Sequence, residues 1–294
     1  MRAKQLRSRL IVGCLAAAAF AQAAERPVDP TFLFRKVADA AARPSDLSSD
    51  TCRYRPLFGA GDQETSIVKG VSRYGVMEID PRGRSAAVRH PGEERIYFVL
   101  EGSGEIQYGG KSYPIKPSDF MYLAPGVEYS TENTSTAALR IVVIGYHVPE
   151  GSGAANAGAA LQIRNASEAE KQVLSGHPPS TKYLLLMGGK DSKRDLIAAG
   201  EVLTSLFIME FDAGGTNHPH HHMTEEEVYL LLEGDGEMVA GGGMNGIEGR
   251  HRATPGDAYF YRPNCTVGFY ASPALGGKKA RILAARSTYP GMKK

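Results

Sequence analysis

The chain is 294 residues long, with 34 Lys and Arg against 32 Asp and Glu and a formal net charge of +2. Charges of both signs are interspersed and no basic stripe occurs, which argues against a nucleic-acid partner. The length suits two compact domains, and no stretch beyond residue 23 approaches the ~20 apolar residues of a membrane helix.

Met1–Arg9 carries four basic residues and no acid, and the apolar run Leu10–Phe20 ends in Ala21-Gln22-Ala23. This reads as a secretory signal, residues 1–23, and predicts a periplasmic or secreted protein. Ile11-Val12-Gly13-Cys14 also spells a lipoprotein-type cleavage box, ranked second because the hydrophobic run before Cys14 is short. Without residues 1–23 the chain sits near −2 and keeps two cysteines, Cys52 and Cys265. In an oxidising compartment those two could bridge, closing a very long loop, but spacing alone does not establish it.

Residues 24–60 read as an N-terminal arm, with a weak helix over Thr31–Ala42 and then a polar loop, packed across one of the domains. An internal repeat follows. Tyr97-Phe-Val-Leu-Glu-Gly-Ser-Gly-Glu-Ile106 parallels Tyr229-Leu-Leu-Leu-Glu-Gly-Asp-Gly-Glu-Met238, and Ser118–Tyr129 parallels Gly256–Val267. Short β-type runs between Gly- and Pro-rich turns surround both copies, the texture of an antiparallel sandwich or barrel. The chain therefore reads as all-β, with one barrel over 61–148 and a second over 181–294. Between them lies a linker, 149–180. Its first part, 149–160, is small and flexible in composition. Its second part, Asn165–Leu174, reads as a short helix with Ser167 as N-cap and Glu170 three residues on.

The second copy holds the run Gly214–Gly234, with four of the eight histidines and three consecutive acids. On an extended strand His220 and His222 leave one face while His221 points the other way. A turn through Met223 and Thr224 brings the chain back, and Glu227 opens the returning strand Val228–Leu232. Two imidazoles and a carboxylate converging from adjacent strands make a site for a borderline divalent ion. Tyr229, Tyr261 and Phe269 read as pocket-lining or as ordinary barrel filling. Glu225 and Glu226 read as exposed charge at the start of the strand, with Glu226 as an alternative base. The glycine-rich stretch Gly241–Arg252 reads as a long hairpin at one end of the barrel, where Arg250 and Arg252 could meet an acidic substrate.

These residues resemble the first motif of the cupin family: Gly214, five residues, His220-x-His222, four residues, Glu227, six residues, Gly234. The lead-in Gly-Gly-Thr-Asn-x-Pro-His is similar to that of the germin-type members. With the repeat, the resemblance implies two tandem cupin-type β-barrels (a double-stranded β-helix each, together a bicupin), over roughly 61–148 and 181–290. It implies a divalent metal held by His220, His222 and Glu227, with iron or manganese ranked first and zinc, copper or nickel after them.

Both copies depart from the family's pattern. The second motif should supply a fourth ligand, a histidine, at Val267 or Gly268, and neither coordinates. Tyr261, Cys265, His218 and His251 are the replacements within reach in sequence. His218, behind Pro219, reads as loop or as support for a ligand. In the first copy Arg95 stands at the glutamate position, His90 at the second histidine and Val88 at the first. Tyr129 stands where a histidine ligand would be, and Asn133 keeps the family's asparagine. A guanidinium is permanently cationic and has no lone pair to give, so the first site reads as degenerate. Arg95 is then expected to pair with Glu94 or Glu128 or, as an alternative, to clamp a small anion between Tyr97 and Tyr129.

The resemblance implies a metal-dependent oxidoreductase, oxygenase-like, acting on a small organic substrate. The alternatives are a non-redox lyase, isomerase or hydrolase using the metal as Lewis acid, and a metal- or small-ligand-binding protein without turnover. The sequence does not fix the oligomeric state.

Overall fold

A computed structural model of the chain describes residues 30–62, 66–151, 160–242 and 247–291. The expected signal segment with Cys14, residues 152–159 of the linker and residues 243–246 of the glycine-rich hairpin lie outside these residues. The described residues form 22 strands in four sheets. In the first barrel, a six-stranded sheet runs Gln162–Asn165, Asp119–Leu123, Glu93–Glu101, Leu139–His147, Val71–Ile79, Cys52–Gly59. Facing it is a four-stranded sheet of Val88–Arg89, Glu128–Glu132, Gly104–Tyr108 and Lys111–Ile115. The second barrel repeats the plan, with a large sheet centred on Glu225–Glu233, Ala280–Thr288, Leu203–Phe211 and Thr181–Gly189. Its smaller sheet is His220–His221, Thr266–Ala271, Gly236–Gly241 and Gly249–Ala253.

Among the described residues, no helix is long and apolar enough to cross a membrane. The motif glycines Gly102 and Gly234 turn their chains with φ of +82° and +75°. A Cβ there would lie 2.5 Å from the carbonyl oxygen of Ala138 and 2.7 Å from Cα of Ala280, so a side chain is barred by both strain and contact.

The large sheets are buried on both faces, which explains strands that read as continuous apolar runs rather than alternating ones. Along Glu225–Glu233, Tyr229 and Leu231 belong to the interior cluster of the second barrel. Val228 and Leu230 belong to a cluster shared with the first barrel, where Phe58 and Phe260 meet with ring centroids 5.9 Å apart. The two barrels thus pack sheet against sheet, and the period of two decides which way each side chain faces.

That alternation carries Glu226, with Val228, toward the other barrel, and it is fully buried. Its oxygens accept from the backbone N–H of Lys69 (2.8 Å), Gly70 (2.8 Å) and Val71 (3.0 Å). Glu94, at the matching position of the first barrel, does the reverse. It accepts from the N–H of Glu201 (2.7 Å), Val202 (2.9 Å) and Leu203 (2.6 Å), and from the Tyr122 hydroxyl (3.0 Å). Each barrel therefore inserts a carboxylate into the backbone leading into a strand of its twin. Burial raises the pKa of both acids, while the same N–H donors oppose the rise. Glu226 is neither exposed charge nor a base at the barrel mouth, because an even-numbered position on this strand faces out of its own barrel.

The arm also crosses between the barrels. Thr31–Ala42 is not a helix: Phe32–Lys36 pairs antiparallel with Asp257–Tyr261 of the second barrel, and only a 3-10 turn, Val37–Asp39, follows. The open edge of that sheet offers backbone partners which outweigh a weak helical propensity. The next strand, Cys52–Gly59, returns to the first barrel as the edge of its sheet. In the linker, the expected helix shrinks to the 3-10 turn Ala166–Glu168, capped by Asn165 rather than Ser167, with Glu168 closing the capping box. It stops there because Lys171–Gln172 is drawn into pairing with Thr181–Gly189. Cys52 and Cys265 are separate, buried free thiols.

Replacing Glu94 by Ala would strand three backbone N–H donors, one buried and two part-buried. A loss of roughly 2 kcal/mol or more is expected by chemical denaturation. A variant as stable as the parent would show that the exchanged carboxylates do not fasten the barrels.

Candidate functional site

Strand register fixes the correspondence between the two interiors. His220 is paired with Val267, as Val88 is with Tyr129. Glu227 lies between Tyr261 and Arg286, as Arg95 lies between Leu123 and Gly145. The position that would face His220 with a fourth imidazole is thus Val267, and its side chain is buried apolar packing.

In the second barrel His220 and His222 are half-buried and Glu227 is buried. The Nε2 atoms of the two histidines are 3.1 Å apart, and His222 Nε2 stands 3.3 Å from Glu227 Oε2. His220 Nδ1 lies 2.7 Å from the carbonyl oxygen of His218, which can only accept. The proton is therefore on Nδ1, and Nε2 presents its lone pair to the interior. His218 itself is exposed, with a φ of +55°, so its contribution is this carbonyl. His221 turns outward, as the strand alternation predicts.

Neither oxygen of Glu227 makes a hydrogen bond of normal geometry, and the nearest N–H donor is His222 Nε2 at 3.3 Å. Its neighbours are His222 and the guanidinium of Arg286, whose Nε is 3.7 Å from Oε1. Burial raises its pKa, but His222 and Arg286 more than offset this and hold it below the usual carboxylate range. Burial lowers the pKa of His220, further helped by the neighbouring His222 and His177. Among the described residues no three His, Cys, Asp or Glu side chains are posed as a finished metal cage. The site is a line of contacts, from His220 to His222 to Glu227.

The wall of the site is aromatic. Tyr229 and Tyr261 are buried beside Glu227, with ring centroids 5.3 Å apart, and the Tyr261 hydroxyl has no hydrogen-bond partner. Phe269 packs edge-on against Phe211, and its backbone N–H donates to the side chain of Asn217. Of the other replacement ligands, Cys265 faces Gly241 and Thr31, and His251 packs on Phe32 and Tyr259. Neither is directed at Glu227.

Sequence reasoning missed four residues here. Arg286 was legible as an arginine on the inward face of Ala280–Thr288, where Ile282 and Ala284 also point in. It lies over the Phe207 ring at 5.3 Å, and Phe207 packs on Tyr183. His177, in the loop before Thr181–Gly189, has no periodicity to mark it.

The first barrel fills the same space differently. Arg95, fully buried, donates to Tyr129 Oη (2.8 Å) and pairs with Asp46 (2.9 Å) and Glu93 (2.8 Å). Asp46 also holds Arg73 (2.7 Å) and His90 (2.8 Å). The expected partners are wrong: Glu94 faces the other barrel and Glu128 is exposed. The guanidinium is already engaged by two carboxylates and a phenol, which leaves no bidentate face for a small anion. Burial raises the Asp46 pKa, but His90, Arg95 and Arg73 reverse that and hold it far below the ordinary 3.8.

Comparison with known proteins agrees with this architecture. A family model described as a cupin domain matches residues 75–145, within the first barrel. An oxalate-binding protein of Thermotoga maritima is 32% identical over 68 residues, which is 23% of this chain and 56% of that protein. The chain thus spans about half the length of this relative. Among solved structures, a glyoxylate-induced protein from Pseudomonas aeruginosa superposes with a TM-score of 0.68 at 17% identity, covering 92% of this chain and 94% of that one. Oxalate decarboxylase from Lactobacillus farciminis, in complex with formate, gives 0.64 at 12% identity over 90% and 88%. These likenesses are of fold.

Because the Asp46 pKa is depressed in the folded state, its stabilisation is present above about pH 4 and lost as pH falls through the lower folded value. Asp46→Asn is therefore expected to cost about 1 kcal/mol at pH 7 after solvent screening. The gap to the parent in urea melts should close on acidification below pH 4. A gap constant with pH would contradict the ion-pair assignment.

Proposed function

We propose, for a chain that belongs to the cupin superfamily and carries its barrel twice, a metal-dependent oxidoreductase of oxygenase type that acts on a small organic acid in the second barrel. The observation that carries this reading is Glu227: a buried carboxylate that accepts no backbone N–H and no hydrogen bond of normal geometry, in contact with imidazole nitrogen. Such a group is costly to bury alone. Donor atoms bonded to one divalent ion at about 2.1 Å stand roughly 3.0–3.4 Å from one another. The separations of 3.1 Å and 3.3 Å fall in that range. His220, His222 and Glu227 thus fit as holders of an ion, and the N, N, O donor set suits iron or manganese, with zinc, copper or nickel behind them. When bound, such an ion would supply a Lewis acid and, as iron or manganese, a redox centre with positions open to substrate.

The chain's own residues would do the rest. Arg286 would be the anion-binding group: its guanidinium stands 3.5 Å from Glu225 and 3.7 Å from Glu227, both longer than the contacts that hold Arg95, and its Nε is buried without a hydrogen-bond acceptor. Phe207, Tyr183, Tyr229 and Tyr261 exclude water and strengthen that charge. His218, through its carbonyl, keeps the His220 proton on Nδ1. A carboxylate substrate agrees with the oxalate-binding relative and the oxalate decarboxylase neighbour, each named for a small dicarboxylate. The name of the first also favours a second reading, a carboxylate-binding protein without turnover.

His220→Ala and Glu227→Gln are expected to lose bound metal by elemental analysis while the barrels stay folded. Arg286→Ala should keep the metal and bind oxalate, used as probe, at least tenfold more weakly by calorimetry. Oxygen uptake dependent on an added organic acid supports turnover, and tight binding without uptake supports the binder. Full metal occupancy in Glu227→Gln would overturn the site.

A further inference from the structure

The second barrel lacks a fourth imidazole on its strands, because Val267 fills the position paired with His220. The structure brings another imidazole to the same place from outside the repeat motifs. His177 lies in the loop before Thr181–Gly189, and its ring meets that of His220 edge-on, with centroids 5.4 Å apart and planes at 71°. The rings of His220 and His222 are 4.8 Å apart. Imidazoles bound to one ion at about 2.1 Å per bond have centroids roughly 4.5–5.5 Å apart. Both pairs lie within that span.

The ring is also held in the tautomer that a ligand requires. Its Nδ1 lies 2.7 Å from the carbonyl oxygen of Asn217, which can only accept, so the proton is on Nδ1 and Nε2 keeps its lone pair. Asn217 is fully buried, and its own side chain accepts from the N–H of Phe269, so the anchor belongs to the barrel's core. Tyr183 supports the other side of the ring at 5.1 Å.

The first barrel contains the same device in another chemistry. Cys52 is paired with Ile79 as Thr181 is with Phe211, so the two loops that precede these residues correspond. The first loop sends Asp46 onto Nε2 of His90, which stands at the position of His222. In one barrel the loop delivers a carboxylate to a fixed arginine. In the other it delivers an imidazole to the site of Glu227.

We propose that His177 is a protein ligand of the ion in the second barrel, a third imidazole supplied by the loop before the barrel's first strand in place of Val267. This rests on the metal-site reading given above. The ligand set becomes three histidines and a glutamate, which leaves two positions for substrate on a six-coordinate ion rather than three.

The test uses the full chain and its His177→Ala, His177→Gln and His220→Ala variants. Mn(II) affinity is measured by competition with a chelator, and the number of bound imidazoles by pulsed EPR with one equivalent of Cu(II). The parent should show three imidazoles. Both His177 variants should show two, with Mn(II) affinity lowered at least tenfold, and added free imidazole should restore affinity to His177→Ala. Near-UV circular dichroism like the parent's confirms that the variants are folded, and the glutamine variant covers the case in which alanine is not. If His220→Ala weakens metal binding while neither His177 variant changes affinity or imidazole count, the role of His177 is overturned and the metal site stands. A parent that takes up no metal overturns both.

Discussion

The pleat of one strand sends two consecutive carboxylates in opposite directions, and the rest of the molecule is arranged around that divergence. Glu226 leaves its barrel to receive three backbone N–H groups of the other, while Glu227 enters the interior and meets none. The first is satisfied by backbone N–H groups, while the second, one residue on, has only the His222 ring and the Arg286 guanidinium beside it. Satisfied charge fastens the two barrels without need of an ion. A carboxylate without backbone donors is where the proposed ion would sit.

The first barrel shows what happens when the cation is written into the sequence. At the register position of Glu227 stands Arg95, ringed by Asp46, Glu93 and Tyr129. A covalently attached positive charge cannot be exchanged, cannot act as a Lewis acid and leaves no open position. The neighbouring Glu94 keeps the outward role of Glu226 unchanged. The two barrels have therefore parted in their interiors while sharing one fastening. The fastening is reciprocal: each half completes the backbone hydrogen bonding of the other. The arm adds to the exchange, giving one strand to the second barrel before it enters the first.

Much of this was legible in the sequence. The repeat, the motif glycines and the alternation of strand faces are local signals, and they gave two all-β barrels and the loss of ligands at Val88 and Arg95. They also placed His220, His222 and Glu227 on facing positions, and the structure sets His222 against both His220 and Glu227. What failed was long-range. Asp46 pairs with Arg95 across 49 residues, where local sequence favours Glu94 and Glu128, and the second partner, Glu93, lies only two residues before Arg95. Phe32–Lys36 reads as a weak helix by itself and becomes a strand only because an edge more than two hundred residues away accepts it. Glu226 departs from its local signal for a related reason: an acid at the start of a strand reads as exposed, and nothing local says that the outward face meets another barrel. Arg286 could have been found, since an arginine on an otherwise apolar inward face is a signal in itself.

The central claim is that the two interiors differ in kind, one closed by its own arginine and the other built for an exchangeable ion. Anomalous diffraction from crystals of the metal-loaded chain tests it most directly. The account predicts a single strong peak bounded by His220, His222 and Glu227 and none beside Arg95. A peak in the first barrel next to His90, or none in the second after loading with manganese, iron or zinc, would contradict it.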